Sequence, residues 1–342
     1  MRIQLNDGAD IGGGGMTSAG SIYIVGGHVR QNLFRKLEEW QSCDRARIVQ
    51  LGPEENRSHV CVEYSSSPEL CSDNQPAILF KAASICDKTL YACTSTEVLV
   101  YKLPGFEQVR RISLPCFNDL HHVCPTSRGT LAVAVTGLDM VVEITSTGEL
   151  VREWSVLGEE PWAHFSRTTD YRKVQTTKPH RSHPNHIFEW NGELWVTRFE
   201  QRDAICLTSP GRIDIAVERP HDGLLFGGSL YFTTVDGHIV IADPDSRAVT
   251  RIYDLNKMHS QPRQILGWCR GLLPVDERYI WVGFTRVRPT KFKENLAWIR
   301  NKANRHKSSH IGLYDLKEQR SVREIAVEPH GIGVVFSLFH AS

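Results

Sequence analysis

Apolar and polar residues along this chain fall into short β-branched and aromatic runs, each closed by a turn residue, which is the pattern of many short strands. Five segments share one phrase: a polar cluster holding His or Arg, an apolar residue, then a strand such as LAVAV or LWVTRF. The copies are NDLHHVCPTSRGTLAVAV from Asn118, HPNHIFEWNGELWVTRF from His183, PHDGLLFGGSLYFTTV from Pro220, WCRGLLPVDERYIWVGF from Trp268 and the truncated PHGIGVVFSLF from Pro329. Four-strand units repeated at even spacing predict an all-β fold, a six-bladed β-propeller. Full blades are expected over 79–115, 116–157, 183–217, 218–255 and 265–327. The N-terminal SIYIVGG and RARIVQL and the C-terminal PHGIGVVFSLF are expected to complete a sixth, so that strands from both ends close the ring and cover its edges.

The organisation that follows is a flexible N-terminal arm over 1–20, which contains the Gly12 to Gly15 run, and a single propeller domain over 21–342. The fifth full blade carries an insertion at about 288–309. Within it KFKENLAWIRNKANRHK, from Lys291, sets Phe292, Leu296 and Ile299 at helical spacing and predicts a basic surface helix. Two irregular stretches remain, 52–75 and 158–182. The second carries Trp162, His164, Asp170 and Tyr171 and runs straight into a histidine cluster, which makes it a candidate lid.

Composition narrows the partners. In 342 residues, 40 basic side chains face 39 acidic ones, so the chain has no electrostatic footprint for nucleic acid or an anionic membrane surface. No stretch reaches the ~18 apolar residues of a spanning helix. Nine cysteines without a CxxC pair form neither a disulfide framework nor a zinc ribbon. The N-terminus lacks the basic head and apolar core of a secretory signal, and a reducing, cytoplasmic location is expected.

Aligned on the apolar residue after the cluster, the phrase gives His121-His122-Val123, Asn185-His186-Ile187, Asp222-Gly223-Leu224, Arg270-Gly271-Leu272 and His330-Gly331-Ile332; Ala83 holds the slot in the first blade. The innermost strand of a propeller blade lines the channel, so these side chains should converge near the axis. His121, His183, His221 and His330 form a candidate divalent-metal set of the zinc, iron or copper class, since neutral imidazole ligates all three. A one-residue change of register would exchange His121 for His122 and His183 for His186. His122, His186 and Asp222 are candidate catalytic groups, and Asn185 and Arg270 are candidates for holding substrate. The planar guanidinium of Arg270 suits a carboxylate, phosphate or sulfate. No GxSxG elbow and no evident Cys–His pair supports a covalent nucleophile.

The phrase DLHHVCPTSRGTLAVAV resembles that of six-bladed propellers of the NHL, gluconolactonase and peptidyl-amidoglycolate lyase kind. The succession DLHHV, HPNHIFEWNGELWVTRFEQRDAICL, RPHDGLLFGGSLYF and GWCRGLLPVDERYIWVGFTRVRP is similar to a bacterial propeller family without an assigned activity. That resemblance implies a site built from His121, His183 with Asn185, His221, and Arg270 with Gly271. His122, His186 and the basic insertion depart from the family pattern. The function expected is a metal-dependent cytoplasmic hydrolase, lyase or isomerase acting on a small anionic metabolite. The alternatives are a non-catalytic propeller scaffold for a protein or peptide, and a metal-free tailoring enzyme with a channel His as base.

Overall fold

The computed structural model describes residues 20–30, 42–54, 57–259, 265–287 and 307–341. The predicted arm before Gly20 and the helix predicted from Lys291 lie outside the described residues. Six antiparallel four-stranded sheets form the blades of a propeller. Strands β1 (Ile22–Val29), β2 (Cys43–Leu51) and β3 (Ser58–Tyr64) share a sheet with the last strand of the chain, Val334–His340. Blade 1 follows as β4 (Ser84–Cys86), β5 (Thr89–Cys93), β6 (Val98–Lys102) and β7 (Glu107–Ile112). Blade 2 is β8 (Leu120–Pro125), β9 (Thr130–Val135), β10 (Met140–Thr145) and β11 (Leu150–Ser155). Blade 3 is β12 (Pro184–Trp190), β13 (Glu193–Arg198), β14 (Asp203–Cys206) and β15 (Arg212–Asp214). Blade 4 is β16 (Leu224–Phe226), β17 (Ser229–Thr233), β18 (His238–Ala242) and β19 (Val249–Asp254). Blade 5 is β20 (Trp268–Pro274), β21 (Tyr279–Thr285), β22 (His310–Asp315) and β23 (Arg320–Ala326), and the strand at Val334–His340, β24, opens blade 6. Among the described residues no helix is long and apolar enough to cross a membrane.

The middle strands are apolar on both faces because each blade is covered on both sides. Leu131, Val133 and Val135 of β9 pack with Met140, Val142 and Ile144 against Cys93 and Val98 of blade 1. Ala132 and Ala134, on the opposite face, pack with Val141 against Ile187, Leu194 and Val196 of blade 3. Alternating large and small residues in LAVAV thus match two unequal gaps. Each large side chain so buried contributes roughly 1.5–3 kcal/mol.

A second set of contacts, nearer the axis, runs from blade to blade around the whole circle. The Ala83 amide donates to Ser337 Oγ (3.0 Å), and Ser84 Oγ lies 3.0 Å from His122 Nε2. The Ile187 amide donates to His122 Nδ1 (3.0 Å), and Asn185 Nδ2 donates to the Pro220 carbonyl (2.9 Å). The Gly271 amide donates to Asp222 Oδ2 (2.8 Å), and the Val335 amide donates to Thr285 Oγ1 (2.9 Å). Buried polar groups need such partners, and here each bond spans a seam between blades.

The inner strands also share an irregularity. Pairing slips by one residue between Leu120 and His122, between Pro184 and Ile187, between Arg270 and Leu272, and opposite Val25/Gly26, where Phe336 is passed over. A β-bulge adds a residue and re-aims its side chain. Bulges at one level of successive blades turn selected residues toward the axis.

Candidate functional site

At one end of the channel lies a cavity of about 590 Å³. Its wall carries Lys81, Asp119, His121, His183, His221, Arg270 and Phe336. Six cationic side chains (Lys81, Arg172, Lys178, Arg219, Arg270 and Arg286) and two carboxylates (Asp119 and Glu200) line it, in a chain whose overall charge is +1. Four of the six already meet a carboxylate, Lys81 with Asp119, Arg172 with Asp170, Arg219 with Glu200 and Glu218, and Arg286 with Glu328, so the positive excess at the wall is modest.

Two irregular segments roof it. Residues 65–78 and 158–182 meet there, with Ser72 Oγ hydrogen-bonded to Gln175 and Lys173 Nζ reaching the Pro68 carbonyl (2.7 Å) and Asp73 (3.0 Å). The second segment is fixed at its start, because Trp162, Phe165, Tyr171 and Val174 pack on the apolar cluster of blade 2. Asn118 Nδ2 holds it further through the carbonyls of Tyr171 and Val174, both at 2.8 Å. Its last part, Gln175 to His180, lies over the cavity.

Inside, Lys81 is buried and hydrogen-bonds Asp119, whose carboxylate is part-open to the cavity. Burial alone would raise the Asp119 carboxyl, but the Lys81 ammonium and the surrounding basic groups hold it well below the usual range. His121 Nδ1 lies 2.8 Å from the Asp119 carbonyl and 3.5 Å from Lys81 Nζ. A carbonyl only accepts, so Nδ1 carries the proton and Nε2 is a bare lone pair. His121 stands edge-on to His183, ring centres 4.6 Å apart, and 6.1 Å from His221. Burial, then the Lys81 charge, pushes His121 well below the usual imidazole range. Burial, then His121 and His180, does the same to His183. His221 is pushed down to about 4 by burial and by Arg270. Both its nitrogens are buried without a hydrogen-bond partner among the described residues, and the Asp222 carboxylate at 3.8 Å is beyond hydrogen-bond reach. The Arg270 guanidinium lies over Phe336 (4.5 Å) and near Trp268 (5.9 Å), which fixes its plane.

The residues proposed from sequence divide sharply. His121, His183, His221 and Arg270 come together at the cavity, in the first of the two registers that the sequence allowed. His122, His186, Asn185 and Asp222 do not line it. His122 spends both nitrogens on seam contacts, and burial lowers it to about 3. His186 stacks on it at 3.7 Å. Asn185 and Asp222 are themselves seam residues, and Asp222 also accepts from Thr233 Oγ1. The placement of His330 in the set is corrected. It closes a 3-10 turn, Glu328–His330, ahead of β24, and its Nδ1 lies 2.9 Å from Ser58 Oγ on the outer strand β3. The position that matches His121 in blade 6 is Phe336, at the bulge. A divalent ion needs several donors at about 2 Å from one point. No group of three or more His, Cys, Asp or Glu among the described residues meets that geometry, and the Lys81 ammonium stands beside His121.

Sequence reasoning missed Lys81 and His180. The signal for Lys81 was present, since it is a lone charge inside the apolar run ILFKAASIC. His180 lies in the predicted lid, 2.9 Å through Nδ1 from His183 Nδ1.

No known protein family matches the chain, and no curated protein does. Among solved structures, a protein of unknown function from Bacteroides caccae aligns over 94% of this chain and 98% of its own, at 11% identity and a TM-score of 0.58. A chain of a nidogen/laminin complex aligns over 93% and 97%, at 11% identity and a TM-score of 0.55. Virginiamycin B lyase from Staphylococcus aureus aligns over 72% and 69%, at 14% identity and a TM-score of 0.44, too distant to carry an argument. At these identities the first two likenesses speak to the fold alone, and the chain is a six-bladed β-propeller.

Proposed function

We propose that this protein binds a small anionic metabolite in the roofed cavity and performs metal-free acid–base chemistry on it, as a lyase, isomerase or hydrolase. One observation carries the reading: neutral, buried imidazoles and two cationic groups, Lys81 and Arg270, line one cavity. Arg270 supplies the anion site, its plane suiting a two-oxygen group such as a carboxylate, while the Lys81 charge is already met by Asp119. The imidazoles supply the proton acceptor. Their basicity is low, because burial and neighbouring cations oppose a further charge. An anion arriving within a few ångströms reverses that opposition and raises their proton affinity. Binding would thereby arm the base, and water excluded by the roof would strengthen each interaction. A cation-bearing cavity with Lys81 beside His121 favours this over a metal centre.

The test is calorimetric titration of the chelator-treated protein with inorganic phosphate, sulfate and a panel of mono- and dicarboxylates. At least one anion is expected to bind, and Arg270→Met should weaken it by about tenfold or more, the worth of one charged hydrogen-bonding partner. Binding that appears only when zinc, iron or copper is added back would restore the metal centre. An absence of binding by every anion would remove the proposal.

A further inference from the structure

The roof contributes more than cover. Thr177 Oγ1 lies 2.5 Å from the Gly137 carbonyl and 3.3 Å from His180 Nε2. A hydroxyl has one proton, and the short contact to a carbonyl takes it. His180 Nε2 therefore donates to Thr177, which leaves Nδ1 of this neutral ring as an acceptor. That nitrogen is 2.9 Å from His183 Nδ1, so the proton between the rings belongs to His183. His183 Nε2 is left as a lone pair. His121 arrives at the same tautomer through the Asp119 carbonyl, and the two rings are neighbours.

The backbone keeps His183 where this chain of bonds needs it. Its φ is +61°, in the left-handed region that costs a side-chain-bearing residue energy. Asp139 holds that turn by accepting from three successive amides, Arg181 (2.8 Å), Ser182 (3.0 Å) and His183 (2.7 Å). Ring and backbone are thus anchored separately, one by the roof and one by blade 2.

We infer that His180, carried over the cavity by the roof, is a positioning residue that locks His183 in the Nδ1–H tautomer, so that the covered cavity presents two imidazole acceptors and selects anions bearing a hydroxyl or amine beside the anionic group. The selectivity rests on the anion-binding reading above; the tautomer does not. Two lone pairs repel an oxyanion that has no proton to offer, and a donor on the ligand turns that repulsion into a hydrogen bond.

Nitrogen-15 NMR of the imidazole rings in the full chain tests the tautomer. At about pH 7.5, His183 should show a protonated Nδ1 and a bare Nε2. In His180→Ala it should become a mixture or the Nε2–H form. His180→Asn, whose amide oxygen can stand in for Nδ1, should restore the original pattern. A bare Nδ1 on His183 in the unaltered protein, or an unchanged pattern in folded His180→Ala, overturns the positioning role. Calorimetry with mandelate and its O-methyl ether tests selectivity. Mandelate should bind about tenfold more tightly, and His180→Ala should narrow the difference, since His121 keeps its own acceptor. Equal binding of the pair by the unaltered protein sinks the selectivity alone. If neither of them binds and phosphate and sulfate do not bind either, the anion site itself falls and takes the selectivity with it.

Discussion

The seams between blades and the wall of the cavity draw on the same few positions of one repeated phrase, yet most seam contacts pair their polar atoms, with Asn185 Oδ1 and His186 Nδ1 as exceptions among the described residues, while the wall leaves more of them open. At the seams, Ser84, His122, Asp222 and Ser337 point sideways, and their polar atoms find partners on the next blade. At the cavity, His121 keeps a bare Nε2, and both nitrogens of His221 lack a partner among the described residues. A satisfied buried group stabilises the ring, whereas an unsatisfied one costs stability that a ligand or an ordered water can return. His221 and Asp222 are adjacent in the chain and fall on opposite sides of this divide. Position in the repeat therefore says less about role than the direction in which each side chain points.

The broadest way to stress both regions at once is acid. His121, His122, His183, His186 and His221 are all held below the ordinary imidazole value of 6.5 in the folded protein, His221 at about 4 and His122 at about 3. Below 6.5 the unfolded chain binds protons that the folded one refuses, so stability falls as pH drops from 6.5 toward those values. One such group costs up to about 1.4 kcal/mol per pH unit. Asp119 and Asp222, lowered from 3.8, add a further loss only below that value. Melting temperature should be nearly flat from pH 8 to about 6.5 and fall steeply by pH 5. A flat profile to pH 4.5 would mean that the imidazoles are not buried neutral.

Asp222→Ala isolates the seam. It strands the Gly271 amide and the Thr233 hydroxyl, both in buried positions, and should cost about 3 kcal/mol by urea denaturation. A change under about 1 kcal/mol would show that the seam contacts are incidental and that packing alone holds the ring.

His221→Leu isolates the wall, and its expected sign is the reverse. An apolar side chain of similar size replaces a buried ring with no hydrogen-bond partner among the described residues, so stability should stay level or rise by up to about 1 kcal/mol. Anion affinity should weaken in the same protein. Destabilisation as large as that of Asp222→Ala would place His221 with the seams and narrow the cavity site to His121, His183, Lys81 and Arg270.

How much of this could be read beforehand follows from the same contrast. Core strands such as TLAVAV and YIWVGFT announce themselves by composition, because both their faces are covered and neither needs polar atoms. The polar clusters of blades 2 to 5 each supply a residue that lines the cavity, His121, His183, His221 and Arg270, whereas the cluster at His330 does not. What composition does not carry is direction. A bulge of one residue decides whether Asn185 meets the next blade or His121 meets the cavity, and nothing in the residue types marks where the slip occurs. His180 was harder still, because its role depends on a loop folding back over a strand that begins four residues later.

His330→Ala is the smallest and sharpest case. By its phrase, PHG before an apolar run, this residue should belong with the cavity histidines. The chain instead turns once more at Glu328–His330, and Gly331 takes φ +80° before β24 begins at Val334. Phe336, six residues on, occupies the bulge and meets the rings of His121 and His221 at 6.4 and 5.6 Å. Losing the His330 contact to Ser58 at the outer strand should change stability by no more than about 0.5 kcal/mol, the usual effect of a surface substitution. Anion affinity should not change at all. If instead calorimetry showed His330→Ala weakening anion binding as much as His221→Leu, the cavity would have to extend across blade 6. The repeated phrase would then report function even where the bulge says it does not.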